Sequence, residues 1–234
     1  MNFFPIRPQP RKSNHLNRSN SNLTWGEKVK CQQNAPNSSP QNLLIGASYF
    51  ERLNKSEHQK ILSKYFKGWL NHGIGGDRVE HIAWRILNGC LPNNIDKIIV
   101  SIGTNNIGKN SPISIVKSIF ECITSIKSIA PTADILVLGI PPRFVLDKNG
   151  NEYLNAGNDI KITNSMLKLK LSNICQFYVP NCRLWKGLSA NPNLYTRDNV
   201  HLNNQGYSTI FNDILPFINS KNKQINFNYI DDVI

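Results

Sequence analysis

Four short stretches of the 234-residue sequence carry the groups an acyl-transfer reaction needs. In the first, Leu43-Leu44-Ile45-Gly46-Ala47-Ser48, an apolar run ends at Gly46 and sets Ser48 just before a predicted helix. A serine there can turn its hydroxyl toward a crevice, beside backbone N–H groups able to hold an oxyanion. The plainer role for it is that of an N-cap. The second stretch, Asn71-His72-Gly73-Ile74-Gly75-Gly76-Asp77-Arg78, packs three glycines into four positions. It is either a turn or a cradle whose N–H groups a ligand can approach closely, and it has neither a Walker lysine nor a GxGxxG pattern. The third, Gly103-Thr104-Asn105-Asn106, offers an amide donor. The fourth, Asp198-Asn199-Val200-His201, spaces an acid and an imidazole so that Asp198 can orient the ring and leave its other nitrogen facing a nucleophile. In chain order these fill the roles of nucleophile, oxyanion donors, orienter and base.

Such groups meet only if the elements between them bring them to one edge. Short β-rich apolar runs at Leu43–Gly46, Trp69–His72, Lys97–Gly103, Ile135–Ile140 and Phe177–Val179 read as strands, nearly continuous in apolar character as befits burial on both faces. Helical patterns fall between them at Glu57–Phe66, Arg78–Leu87, Ile113–Ile129, Asp159–Leu171 and Asn204–Ile218. In the third of these, Ile115, Ile119, Ile123 and Ile126 recur at spacings of three and four ahead of the stop at Pro131. Alternation of this kind predicts an α/β fold, a parallel sheet with right-handed crossovers and helices on both faces. Its ligand crevice lies beyond the carboxyl ends of the strands, where all four stretches fall.

The net charge is +12, from 27 basic and 15 acidic residues, which raises the question of a nucleic-acid partner. Residues 1–40 carry +5 of it, residues 41–219 carry +7 and residues 220–234 carry none. The body offers no basic-aromatic stripe, so nucleic acid is expected at the arm if anywhere. Residues 1–40, rich in Asn, Ser, Pro and Gln, read as a disordered basic arm, with docking of 23–31 through Trp25 as the alternative. Such an arm would be separable, so that its deletion spares the activity of the domain. Residues 220–234 read as a short tail in which Ile225–Ile230 could add an edge strand. Five cysteines without CxxC spacing suggest free thiols and a cytoplasmic protein, and no apolar run reaches the ~18 residues of a membrane span. The amino terminus lacks the continuous apolar stretch of a secretory signal. His58, His72 and His81 share no ligand spacing and read as surface or packing residues; no metal or cofactor is called for. Trp84 reads as core, and Arg197 as a possible contact to substrate or to a second copy.

Taken together, the four blocks resemble the SGNH hydrolases, the GDSL-type esterase superfamily. The run GIGGDRVEHIAWRI followed by GTNN looks most like the catalytic subunits of intracellular platelet-activating-factor acetylhydrolase and related invertebrate proteins. The resemblance covers about residues 41–219. It implies a flavodoxin-like three-layer α/β/α sandwich on a five-stranded parallel sheet, and no cofactor or metal. It further implies a homodimer in the acetylhydrolase branch and a small ester substrate such as an acetylated lipid or sugar. Carried over by position, it makes Ser48 the nucleophile, His201 the base and Asp198 its orienter. Gly76 through its N–H and Asn105 through its amide would join the Ser48 N–H in an oxyanion hole. One block departs from the pattern: the family reads Gly-Asp-Ser where this chain has Gly46-Ala47-Ser48. The missing carboxylate is not a reacting group, but in the family it holds the block through hydrogen bonds. The alternative function is therefore a catalytically weak or inactive SGNH-like domain that binds RNA or protein.

Overall fold

A computed structural model describes residues 6–11, 23–35 and 41–220. Its centre is a five-stranded, all-parallel sheet of β1 (Gln41–Gly46), β2 (Leu70–Gly73), β3 (Ile95–Ser101), β4 (Asp134–Leu138) and β5 (Gln176–Tyr178), in the spatial order β2-β1-β3-β4-β5. Alternation of side chains explains why the strands read as almost unbroken apolar runs. Leu43 and Ile45 of β1, Ile98 and Val100 of β3, and Ile135 and Val137 of β4 enter one core. Their neighbours Leu44, Ile99, Leu136 and Leu138 enter the other.

The first core is closed by α4 (Val79–Leu87), α5 (Pro112–Ile129) and α6 (Ala156–Leu171). In α5 the predicted stripe of Ile115, Ile119, Ile123 and Ile126 is wholly buried, and the helix opens on a Ser111 cap with Pro112 in its first turn. The second core is closed by α2 (Ser48–Glu51), α3 (Gln59–Tyr65), α7 (Asn204–Asp213) and α8 (Leu215–Asn219). The sequence predicts one helix over Asn204–Ile218, and the structure divides it at Ile214. Pro216 cannot donate an N–H to the turn before it, so the chain restarts with proline in the first turn of α8.

A further helix, α1 (Trp25–Gln33), lies in the stretch expected to be disordered. Trp25, Val29 and Gln32 are buried, and Trp25 packs on Trp84 with ring centroids 5.6 Å apart. Of the two readings of residues 23–31, docking on the body is the one the structure shows. Composition averaged over forty Asn- and Ser-rich residues favours disorder and masks this nine-residue helix, of which the sequence singles out only the Trp25 anchor. Its local signal was a capping box, Thr24-x-x-Glu27, with Glu27 N donating to Thr24 Oγ1 at 3.3 Å and Thr24 N to Glu27 Oε2 at 2.6 Å. Residues 12–22 and 36–40 of the arm, and the proposed edge strand in the carboxyl tail, lie outside the described residues. No described helix is long and apolar enough to cross a membrane.

Candidate active site

The four blocks converge beyond the carboxyl ends of β1, β2 and β3. At the end of β1 only glycine fits: a Cβ on Gly46 would stand 2.5 Å from the Ser101 carbonyl oxygen of β3. The chain then turns through Ala47 into α2, with Ser48 as its first helical residue. Ser48 is therefore not the N-cap; Ala47 holds that position and offers no side-chain bond. An aspartate at that position could accept from the first-turn N–H groups, a contribution of about 1 kcal/mol in typical helices. What Ala47 removes is thus a local brace.

Ser48 Oγ lies 3.1 Å from His201 Nε2, and His201 Nδ1 lies 2.7 Å from Asp198 Oδ2. The other carboxylate oxygen of Asp198 accepts from Val200 N at 2.9 Å, His201 N at 3.0 Å and Thr196 Oγ1 at 2.8 Å. This wrap needs a reversal of the chain, which Asn199 supplies with φ of 51°, a conformation asparagine tolerates better than most residues. Phe144 N pins that turn by donating to Asn199 O at 2.8 Å. Burial disfavours the Asp198 anion, but the His201 ring, the two backbone N–H donors and Thr196 outweigh it and hold the carboxyl well below its usual range. For His201 burial wins: the ring titrates below its ordinary value although the Asp198 hydrogen bond pulls the other way. A neutral imidazole with Nδ1–H held by a carboxylate leaves Nε2 as an acceptor for the Ser48 proton.

Across from His201, Gly76 has φ of 79° and is exposed at the mouth. Beside it the Asn105 amide is held at both ends, its Nδ2 donating to Asp77 O at 2.9 Å and its Oδ1 accepting from Arg143 Nη1 at 3.0 Å. Ser48, Asp198, His201, Gly76 and Asn105 all reach the same edge of the sheet. Sequence reasoning missed the residues behind them. Arg143 orients Asn105, and only its place after the fourth strand could have flagged it. Arg85, wholly buried, pairs with Asp77 at 2.9 Å. It also donates to Gly46 O, His72 O and Gln32 Oε1 at 3.0, 2.9 and 2.8 Å, tying β1, β2, the glycine loop and α1 together. Trp25 Nε1 donates to the same Asp77 at 2.9 Å. Burial pushes the Asp77 carboxyl up to about 6, with Arg85 and Trp25 opposing. His58, His72 and His81 are buried packing residues. Among the described residues no His, Cys, Asp and Glu group could hold a metal.

Comparison with known proteins agrees with this architecture. No protein-family model matches the chain. The platelet-activating factor acetylhydrolase IB subunit alpha2 of Homo sapiens is 36% identical over 105 residues, covering 44% of this chain and 45% of that protein. The subunit beta homolog of Drosophila melanogaster is 35% identical over 107 residues, 44% of this chain and 46% of its own. The match thus spans less than half the length of these curated relatives. Among solved structures, a GDSL-like lipase of Bacteroides thetaiotaomicron superposes with a TM-score of 0.68 at 16% identity, over 82% of this chain and 96% of that one. The five-stranded α/β/α fold is that of this GDSL-like lipase, and less than half of the chain is similar in sequence to the acetylhydrolase subunits.

Proposed function

We propose that the protein is a serine esterase that hydrolyses a small ester, with acetyl as the acyl group, by a two-step mechanism. The observation that carries this reading is the continuous hydrogen-bonded line from Ser48 through His201 to Asp198, 3.1 and 2.7 Å in its two links. Ser48 Oγ attacks the ester carbonyl carbon as its proton passes to His201 Nε2, and Asp198 stabilises the imidazolium that results. The oxyanion falls to the Ser48 and Gly76 N–H groups and to Asn105 Nδ2, whose second hydrogen is left after its bond to Asp77 O. The tetrahedral adduct collapses, the alcohol departs with the proton from His201, and a water activated by the same ring releases the acid and restores Ser48. Five free thiols, two of them exposed, fit a reducing cytoplasmic setting.

Replacement Ser48→Ala should lower hydrolysis of p-nitrophenyl acetate by at least about 10⁴-fold and leave the unfolding midpoint unchanged, because among the described residues Oγ bonds only the base. Equal rates in the two proteins would sink the assignment. Labelling by a fluorophosphonate separates it from the non-catalytic reading: Ser48-dependent labelling supports an esterase, whereas no labelling together with salt-sensitive RNA binding supports a binding module.

A further inference from the structure

Next to the oxyanion donors the site opens into a cavity of about 600 Å³, bounded by Gly76 and Asn105 on one side and by Phe144 and Val200 on the other. Its wall draws cationic side chains from four separate stretches of chain, Arg11, Arg78, Lys109 and Arg143, and no Asp or Glu among the described residues lines it. Like charges gathered around one void repel each other, and the field they create there favours an anion.

Existing partners consume only part of this donor capacity. Arg143 spends Nη1 on Asn105 and Nε on the Phe144 carbonyl, so its part is to position Asn105. Arg78 meets Glu80 Oε1 through Nε at 2.8 Å, which leaves both its terminal nitrogens. Lys109 is exposed, and its ammonium has no partner among the described residues. Arg11 donates Nη1 to Gly75 O at 2.8 Å. Its Nη2 stands 2.9 Å from where a Cβ on Gly76 would be, against the backbone assigned to the oxyanion. The segment that carries Arg11 is itself fixed to the body, with Gln9 N donating to Glu80 O at 3.1 Å and Ile6 N to Ser118 Oγ at 3.1 Å. The charge of Arg11 is thus built into the rim.

We propose that this cavity is a subsite for an anionic group, a phosphate or a carboxylate, borne by the part of the ester that extends past Gly76 and Asn105, with Arg11, Arg78 and Lys109 as specificity-determining residues. The proposal rests on the esterase reading and names a substrate class for it. Scattered lysines on a helix face would be a solvated surface; these side chains converge on one void lined by the oxyanion donors Gly76 and Asn105.

Three matched aryl acetates test it: 4-acetoxybenzoate, 4-acetoxyphenyl phosphate and the neutral 4-acetoxybenzamide. The readout is the ratio of kcat/KM for each anionic ester to that for the neutral one, in which differences of intrinsic reactivity cancel between variants. Arg11→Gln and Lys109→Gln should each lower the ratio about tenfold, and added salt should lower it in the unmodified protein. A larger fall for the phosphate ester identifies a phosphoryl group, and a larger fall for the benzoate identifies a carboxylate; either supports the subsite. Ratios within twofold of the unmodified protein in both variants overturn it. A second measurement needs no turnover: phenyl phosphate should bind Ser48→Ala protein about tenfold more tightly than the Ser48→Ala, Lys109→Gln double variant, by calorimetry. Undiminished hydrolysis by Ser48→Ala would defeat the esterase reading and leave this binding difference standing. Equal binding to both proteins, or none to either, would defeat the subsite whatever the turnover.

Discussion

Around His201 the hydrogen bonds that shape the loop span two to five residues, and they sit near solvent: the Asp198 side chain is 44% exposed and that of His201 21%. Around Gly76 the side-chain bonds and the ion pair span 8 to 64 residues, and the Asp77 and Arg85 side chains at their centre are fully buried. One half of the site is a turn laid on the rim and shaped by local bonds, with the Phe144–Asn199 and Tyr49–Val200 bonds as long-range tethers. The other half is continuous with the core. Chemistry and stability should therefore come apart on the first side and fail together on the second.

Asp198→Asn offers the largest effect. It should lower kcat by about 10³- to 10⁴-fold, through loss of the tautomer and charge that serve His201, and hardly move the unfolding midpoint. A loss of stability as large as the loss of rate would erase the contrast between the two halves. On the opposite side, Arg85→Met strands Asp77 and the Gly46 and His72 carbonyls in the interior, and urea unfolding should show a loss of about 3–5 kcal/mol. A loss under about 1 kcal/mol would mean that the network does not hold the glycine loop. Trp25→Phe removes one hydrogen bond to the buried carboxylate and keeps most of the ring packing. Its denaturant midpoint should fall by the equivalent of about 2 kcal/mol at an unchanged slope.

The smallest expected effect is a displacement on the pH axis. His201 must be neutral to act as a base, and burial lowers its pKa, so kcat/KM should rise with pH through a midpoint below 6.5. Asp198→Asn removes an influence that raises that pKa and should move the midpoint further down. A midpoint above 6.5 would show that the carboxylate outweighs burial.

The parts of this molecule legible in the sequence are those whose cause is local. Strands buried on both faces announce themselves as apolar runs, and the stripe of isoleucines in α5 needs only helical spacing. Ser48, Asp198 and His201 could be singled out because residue type and position after a strand or in a polar loop suffice. Arg85 could not. Its meaning lies in acceptors 8 to 53 residues away, and an arginine in the middle of an amphipathic helix looks like any solvated charge. The same holds for Arg11, whose place on the rim depends on bonds to Gly75, and for α1, whose buried face exists only because Ile74, Trp84 and Cys90 receive it. These contacts bear on the expected separability of the arm: deletion of residues 1–40 would remove the Gln32 acceptor of Arg85 and the Trp25 donor to Asp77.

Ser48 and His201 stand 153 positions apart, and the last strand of the sheet ends at Tyr178. A chain still emerging from the ribosome can therefore pair all five strands before its base has been made. The segment that carries His201 also delivers Tyr195, Leu202, Tyr207, Ile210 and Phe211, which complete the cover over one face of that sheet. Closure of the second core and arrival of the imidazole are one event, so ester hydrolysis would report closure of that core, and a chain stopped before it would carry a partly exposed apolar face and a Ser48 without its His201 partner.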